Sequence, residues 1–275
     1  MASFWAIAVG IHQYQTLNPL PYAELDAKVF SQRLRFAAGV TQVYCLTDTS
    51  PDLILDGGAC LSSSPTLANL KQFLQLRFST PFLEPEDTLC FFFSGHGLQF
   101  AHQDYLMCAD SDPTCAASTA IAVEDLVTCL RRSGTANIML LLDACHTDFQ
   151  KFGQGFGTDP KNVITLFSAD FHQTSNAIPA LRQGAFTHAL LEGWQTLSQF
   201  ENQHWGHLYQ DLHDRLPDLN RRYHQSPQVP RLKVDPPLAI EAIPLPNLTA
   251  TPTELPAPLV AQQLMQETTM KLSYW

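Results

Sequence analysis

Short apolar runs alternate with segments of helical period along most of the chain. Phe4–Val9, Val43–Leu46, Thr88–Phe93, Ile138–Leu142 and Val163–Phe167 are apolar on consecutive positions apart from Thr88 and Thr165, which predicts strands buried on both faces and therefore mostly parallel. Between them, Glu24–Ala37 places Leu25, Val29, Phe30 and Leu34 near one helical face, with Gly39 as a stop signal. Thr66–Phe78 predicts a second helix with Thr66 at its N-cap, and Phe186–Leu197 and His207–Leu216 predict two more. Strands alternating with helices are the pattern of an α/β sheet covered on both faces.

The texture changes near Ser226. Pro227, Pro230, Pro236, Pro237, Pro244, Pro246, Pro252, Pro256 and Pro258 exclude long helices and a central strand from that region. The expected organisation is one domain over residues 1–226 and a Pro-rich C-terminal tail over 227–275. The tail is expected to hold an edge strand near Leu238–Ile243 and a short helix at Val260–Met270. At 275 residues, with 45% hydrophobic and 15% charged residues, the chain has the balance of a globular protein that folds alone.

Charge narrows the function. A formal charge of −10 argues against nucleic-acid binding, which needs a Lys/Arg surface. No Lys or Arg occurs between Arg77 and Arg131, while Glu84, Glu86, Asp87, Asp104, Asp110, Asp112, Glu124 and Asp125 fall inside that gap. Such a field attracts cationic partners. The seven cysteines (Cys45, Cys60, Cys90, Cys108, Cys115, Cys129 and Cys145) form an odd set without a C-x-x-C pair, which predicts reduced thiols and a cytoplasmic protein. No secretory signal or membrane-spanning run is read, so no membrane partner is expected, and Asn247-Leu248-Thr249 is taken as a chance glycosylation pattern.

Two strands run into polar sequence that does not belong in a core: Cys90 through Ser94-Gly95-His96-Gly97, and Ile138 through Asp143-Ala144-Cys145-His146. In open parallel sheets, ligands bind beyond the carboxyl ends of strands, so both segments reach one rim. A thiol becomes a good nucleophile on losing its proton, and a nearby imidazole can take that proton and return it to a leaving amine. His96 and Cys145 are therefore the candidate catalytic pair, and the N–H groups of Gly97 and Cys145 the candidate oxyanion hole. Singly, a histidine is more often a satisfied polar group and a cysteine a small core residue. Two strand ends carrying both residues make the joint reading the stronger one. No dinucleotide or Walker motif accompanies the α/β pattern.

With Ser94-Gly95-His96-Gly97 preceding Asp143-Ala144-Cys145-His146 by about 50 residues, the chain resembles the caspase-like cysteine peptidases. It is more similar to metacaspases and orthocaspases than to animal caspases, which carry Q-A-C-R-G at the nucleophile. The resemblance extends to Ala6-Ile7-Ala8-Val9-Gly10-Ile11 with Tyr14, to Asp26-Ala27, to Gly184-Ala185-Phe186-Thr187 and to Leu190-Leu191-Glu192-Gly193, and covers roughly residues 4–225. It implies a caspase-like α/β fold, with a mostly parallel central sheet of about six strands and helices on both faces. By position it also implies a substrate-binding pocket made of Asp26, Ser94 and Asp143. Two carboxylates there favour Arg and then Lys before the cut bond. Asp143 invites a rival role, orienting His96 as the third member of a triad.

The implied activity is that of an endopeptidase acting on protein or peptide substrates with Arg or Lys at the cleaved bond. Self-processing is a further expectation, with Lys151, Lys161 and Arg182 as candidate autocleavage sites. Departures from the family pattern are His146-Thr147-Asp148, where relatives usually read His-Ser-Gly, and Phe152, where calcium-binding relatives carry an acid. Asp110 and Glu124-Asp125 resemble only part of a calcium cluster. No cofactor and no metal are expected, and activity should not need calcium. His204 with His207, and Cys108 with Cys115, do not make a four-ligand zinc spacing. The alternative function is a catalytically silent caspase-fold scaffold or regulatory interaction module.

Overall fold

The apolar runs become neighbouring strands of one sheet. The computed structural model describes residues 2–100, 103–146, 162–170, 173–235, 240–241 and 243–248. Its elements are β1 (Phe4–Gly10), α1 (Ala23–Arg35), β2 (Val40–Leu46), β3 (Leu53–Ile54), β4 (Cys60–Leu61), α2 (Leu67–Arg77), β5 (Thr88–Phe100), β6 (Gln103–Leu106), α3 (Ala116–Thr119), β7 (Ile121–Ala122), α4 (Val123–Leu130), β8 (Asn137–His146), β9 (Asn162–Phe167), β10 (Ala177–Ile178), β11 (Gln183–Gly184), α5 (Ala185–Leu197), α6 (Trp205–Arg222) and β12 (Arg231–Asp235). The main sheet has the order β12-β9-β8-β5-β1-β2, with β6 paired to β5 and β7 paired to β6. Strands β2, β1, β5, β8 and β9 pair in parallel, and β12 closes the edge antiparallel to β9.

Alternation along the strands sorts the core into two layers. Ile7, Val9, Leu89, Phe91, Phe93, Leu140 and Leu142 face α2 and α4. Ala6, Ala8, Cys90, Phe92, Met139 and Leu141 face α1, α5 and α6, where Phe30 stacks on Phe92 at 4.4 Å between ring centroids. Each large side chain so enclosed contributes about 1.5–3 kcal/mol through burial. Thr66 caps α2, its side chain accepting the Asn69 N–H at 3.3 Å.

Three differences from the expected elements bear on the site. The buried stripe of α1 is Ala23, Asp26, Ala27, Phe30, Ser31 and Leu34, so Leu25 and Val29 are only partly covered. This rotation turns Asp26 inward. Helix α6 continues through Pro217 to Arg222, held by the burial of Leu208, Leu212, Leu216 and Leu219, which outweighs the hydrogen bond that proline removes. The edge strand falls at Arg231–Asp235, in the proline-free gap between Pro230 and Pro236, with residues 240–241 forming a turn. The expected terminal helix lies outside the described residues.

Candidate active site

Strands β5 and β8 do not stop at their polar segments. Pairing of β5 with β1 ends at Ser94 opposite Gly10, and pairing of β8 with β9 ends at Leu142 opposite Phe167. The β5–β8 ladder continues, with register partners Ser94 and Asp143, Gly95 and Ala144, His96 and Cys145, and Gly97 and His146. A two-stranded extension thus stands beyond the sheet rim, and it brings His96, Gly97 and the backbone of Cys145 together. The hairpin of β5 with β6 then carries the chain away, Gly97 pairing with Leu106.

With β1 ended, the N–H of His96 needs another acceptor, and the Tyr14 hydroxyl supplies it at 2.9 Å. The Tyr14 ring meets the imidazole edge-on at 4.8 Å between centroids. On the imidazole itself, Nε2 lies 2.8 Å from the Asn18 carbonyl oxygen. A carbonyl only accepts, so Nε2 carries the hydrogen and the lone pair of the neutral ring is on Nδ1. Pro19 restricts Asn18 to extended backbone, which helps to fix that carbonyl. The loop bearing both residues is closed by the Leu20 N–H on the His12 carbonyl and anchored by Thr16 Oγ1 on the Ser111 carbonyl. Burial holds the His96 pKa below its ordinary value, and the Asn18 bond opposes that shift.

Asp26, Ser94 and Asp143 meet below this pair. Ser94 Oγ donates to Asp26 Oδ2 at 3.2 Å, and the Gly184 N–H reaches both oxygens of Asp26, at 3.0 and 3.2 Å. Asp143 Oδ1 accepts from Ser175 Oγ at 2.6 Å, while Oδ2 accepts from Thr187 Oγ1 at 2.6 Å and from its N–H at 3.3 Å. A Cβ on Gly184 would sit 2.6 Å from Asp143 Oδ2 and 3.0 Å from Asp26 Oδ2, so one glycine keeps the slot between the carboxylates clear. Burial pushes the Asp26 carboxyl well above the usual carboxylate range, and Asp143 adds to the shift. Burial also raises Asp143, against the bonds from Ser175 and Thr187. The rival role of Asp143 is not realised: its carboxylate is occupied by Ser175 and Thr187, and the Asn18 carbonyl takes the position beside the imidazole.

Other candidate residues fall elsewhere. Arg182 is exposed at the turn between β10 and β11, with a positive φ of 54°. Lys151, Lys161 and Phe152 lie outside the described residues. Asp110 Oδ1 accepts the Leu67 N–H at 2.8 Å at the start of α2, and Glu124 and Asp125 occupy the exposed first turn of α4. His204 and His207 stack at 3.6 Å. Among the described residues no cluster of three or more His, Cys, Asp or Glu forms a cation site, and no helix is long and apolar enough to cross a membrane.

Sequence reasoning assigned no role to Asn18, Ser175, Thr187, Gly184 or Gln228. Asn18-Pro19 is a turn signal that could have pointed to the first. Gly184 and Thr187 lie in the segment that carries the family resemblance.

The sequence profile of the caspase domain matches residues 3–237. Among solved structures, protein GSU0716 from Geobacter sulfurreducens superposes with a TM-score of 0.58 at 15% identity, covering 84% of this chain and 93% of that one. Caspase-1 from Spodoptera frugiperda gives a TM-score of 0.49 at 16% identity, over 84% of this chain and 86% of the other. No curated protein matches the sequence. At 15% identity, the Geobacter likeness is one of fold.

Proposed function

The chain belongs to the caspase-domain family of cysteine peptidases, and from that premise we propose that it is a metacaspase-like endopeptidase cutting after Arg or Lys. The observation that carries this reading is the pair of buried carboxylates, Asp26 and Asp143, around a slot that Gly184 keeps open. Among the described residues neither carboxylate has a cationic partner. A guanidinium or ammonium from a substrate supplies one, with charge-assisted hydrogen bonds.

With the Arg or Lys side chain seated between Asp26, Ser94 and Asp143, the scissile carbonyl lies at the end of the β5–β8 extension. His96 Nδ1 takes the proton of Cys145, and the thiolate attacks the carbonyl carbon. The N–H groups of Gly97 and Cys145 hold the oxyanion. The imidazolium then gives its proton to the leaving amine, and water releases the acyl group with His96 as base. The Asn18 carbonyl holds the ring in the required tautomer throughout. No step uses a metal, and turnover is independent of calcium. Self-processing uses the exposed Arg182, or Lys151 or Lys161.

Fluorogenic peptides ending in Arg, Lys, Asp or Asn test the reading, with Cys145→Ala and a chelator as controls. Turnover restricted to Arg and Lys, lost in Cys145→Ala and retained in chelator, is the expected result. No turnover of any peptide would favour the silent scaffold, and rescue by calcium alone would overturn the metal-free mechanism. Fragmentation of Cys145→Ala at the wild-type rate would rule out self-processing.

A further inference from the structure

The pocket encloses two carboxylates, Asp26 at 2% and Asp143 at 6% exposure. Carboxylates removed from water resist ionisation, and two sharing one slot resist it further. Among the described residues, the groups facing them are uncharged: Ser94 from β5, Gly184 from β11, Thr187 from α5 and Ser175 from the loop before β10. The next titratable groups along the same strands are His96 and Cys145, two residues on.

The hydrogen bonds distinguish the two acids. Both oxygens of Asp143 receive a hydroxyl at 2.6 Å, and one also receives an N–H. Gln228 fixes the direction of one of these bonds. Its Nε2 donates to Ser175 Oγ at 3.2 Å and to the Ser168 carbonyl at 2.8 Å, so the Ser175 hydrogen is directed to Asp143. Its Oε1 accepts the Asn176 N–H at 3.0 Å and Asn220 Nδ2 at 3.3 Å, which sets the orientation of the amide. Asp26 has longer bonds, and the Ser94 hydroxyl near its Oδ2 can accept as well as donate. Asp143 is the better supported anion.

We propose, resting on the reading of this pocket as the seat of the residue before the cut bond, that the empty pocket holds one proton on Asp26 and that a cationic side chain enters in exchange for it. The charge balances. Before binding, the acid form of Asp26 and the Asp143 carboxylate carry one negative charge. Afterwards the proton is in solvent, and two carboxylates with one guanidinium again carry one negative charge. A neutral side chain gains no such exchange, so preference for Arg or Lys strengthens as pH rises and the proton is more easily lost.

Calorimetric titration of the full-length Cys145→Ala protein with acetyl-Gly-Gly-Arg amide, in phosphate and in Tris at one pH near neutrality, tests this. The apparent enthalpies should differ by the heat that the buffers exchange with about one proton per bound peptide. Binding with equal heats in the two buffers overturns the exchange and leaves the pocket reading intact. Absence of binding overturns the pocket reading and the exchange with it. Asp26→Asn in the same background, verified as folded by its melting transition, should bind with heats independent of buffer. A buffer-dependent heat retained in that variant would place the proton elsewhere and overturn the assignment to Asp26.

Discussion

His96 Nε2 donates its hydrogen to the carbonyl oxygen of Asn18, 2.8 Å away, so the lone pair of the neutral ring is on Nδ1. Burial holds this imidazole below its ordinary pKa, which keeps it neutral to lower pH than a free histidine. For arginyl peptides, the acid limb of kcat should therefore fall below about pH 6.5 and reflect one ionisation. The profile of kcat/KM reports the free enzyme, and it should lose activity through a second group as well, the Asp26–Asp143 pair. Full pH profiles of both constants check this. Coincident limbs of equal steepness would contradict a separate role for the carboxylates.

Gly184→Ala tests the slot directly. The backbone at Gly184 has φ −62° and ψ 138°, which alanine adopts without strain, so the effect is confined to what a Cβ would meet. That atom would lie 2.6 Å from one carboxylate oxygen and 3.0 Å from the other. The expected outcome is a loss of at least about tenfold in kcat/KM for arginyl peptides, or about 1.4 kcal/mol. The drop should come mainly from KM, with a folded protein by circular dichroism.

Much of the fold is legible in the sequence because parallel strands buried on both faces leave unbroken apolar runs, as in Leu89–Phe93 and Ile138–Leu142. Strands β6 and β7 are too short and mixed to leave such a signal. The pair His96 and Cys145 stands out because reactive side chains interrupt a core pattern. Asn18 does not, since it acts through a carbonyl that any residue possesses. Gly184 is equally silent, because the meaning of its missing side chain depends on two carboxylates distant in sequence. Gln228 is hidden by the prolines around it, which mask a fully buried side chain.

Tyr14→Phe removes the hydroxyl that accepts the His96 N–H at the point where β1 has ended. A partly buried N–H left without its acceptor costs about 1–3 kcal/mol. The melting temperature should fall by several degrees, at about 2–4 °C per kcal/mol. Because this bond sets the backbone bearing His96, kcat should fall more than KM rises. Unchanged kcat with a lowered melting temperature would make Tyr14 a stabilising residue alone.

Asp26→Asn separates stability from function. The folded pair binds protons more tightly than unfolded aspartates, whose pKa is about 3.9. The native state therefore binds more protons above about pH 4, and stability falls as pH rises towards the raised value. Asp104, pushed up to about 7 chiefly by burial, adds a similar loss that is common to both proteins. Asp26→Asn should melt higher than wild type at neutral pH and show a flatter dependence of melting temperature on pH. Its turnover of arginyl peptides should drop at least about tenfold. Equal melting curves across pH 4 to 8, measured by scanning calorimetry, would count against a strained pair.

The segment after α6 is tied to the pocket by Gln228, which joins Ser168, Ser175, Asn176 and Asn220, and to the sheet by β12. Gln228→Ala leaves the buried Ser168 carbonyl and Asn176 N–H without the bonds that Gln228 makes, a destabilisation of roughly 1–3 kcal/mol for each buried group left unmet. It also frees the Ser175 hydroxyl to turn from Asp143. The expected result is a lower melting temperature together with a several-fold higher KM for arginyl peptides and little change in kcat, because His96 is untouched. Deletion after Ser226 removes Gln228 and the whole of β12, taking away Leu232 and Val234, which pack against the core, and leaving the edge of β9 unpaired. That truncated chain should lose its cooperative melting transition. Full turnover with an unchanged melting temperature would show instead that the segment is dispensable to both the pocket and the sheet.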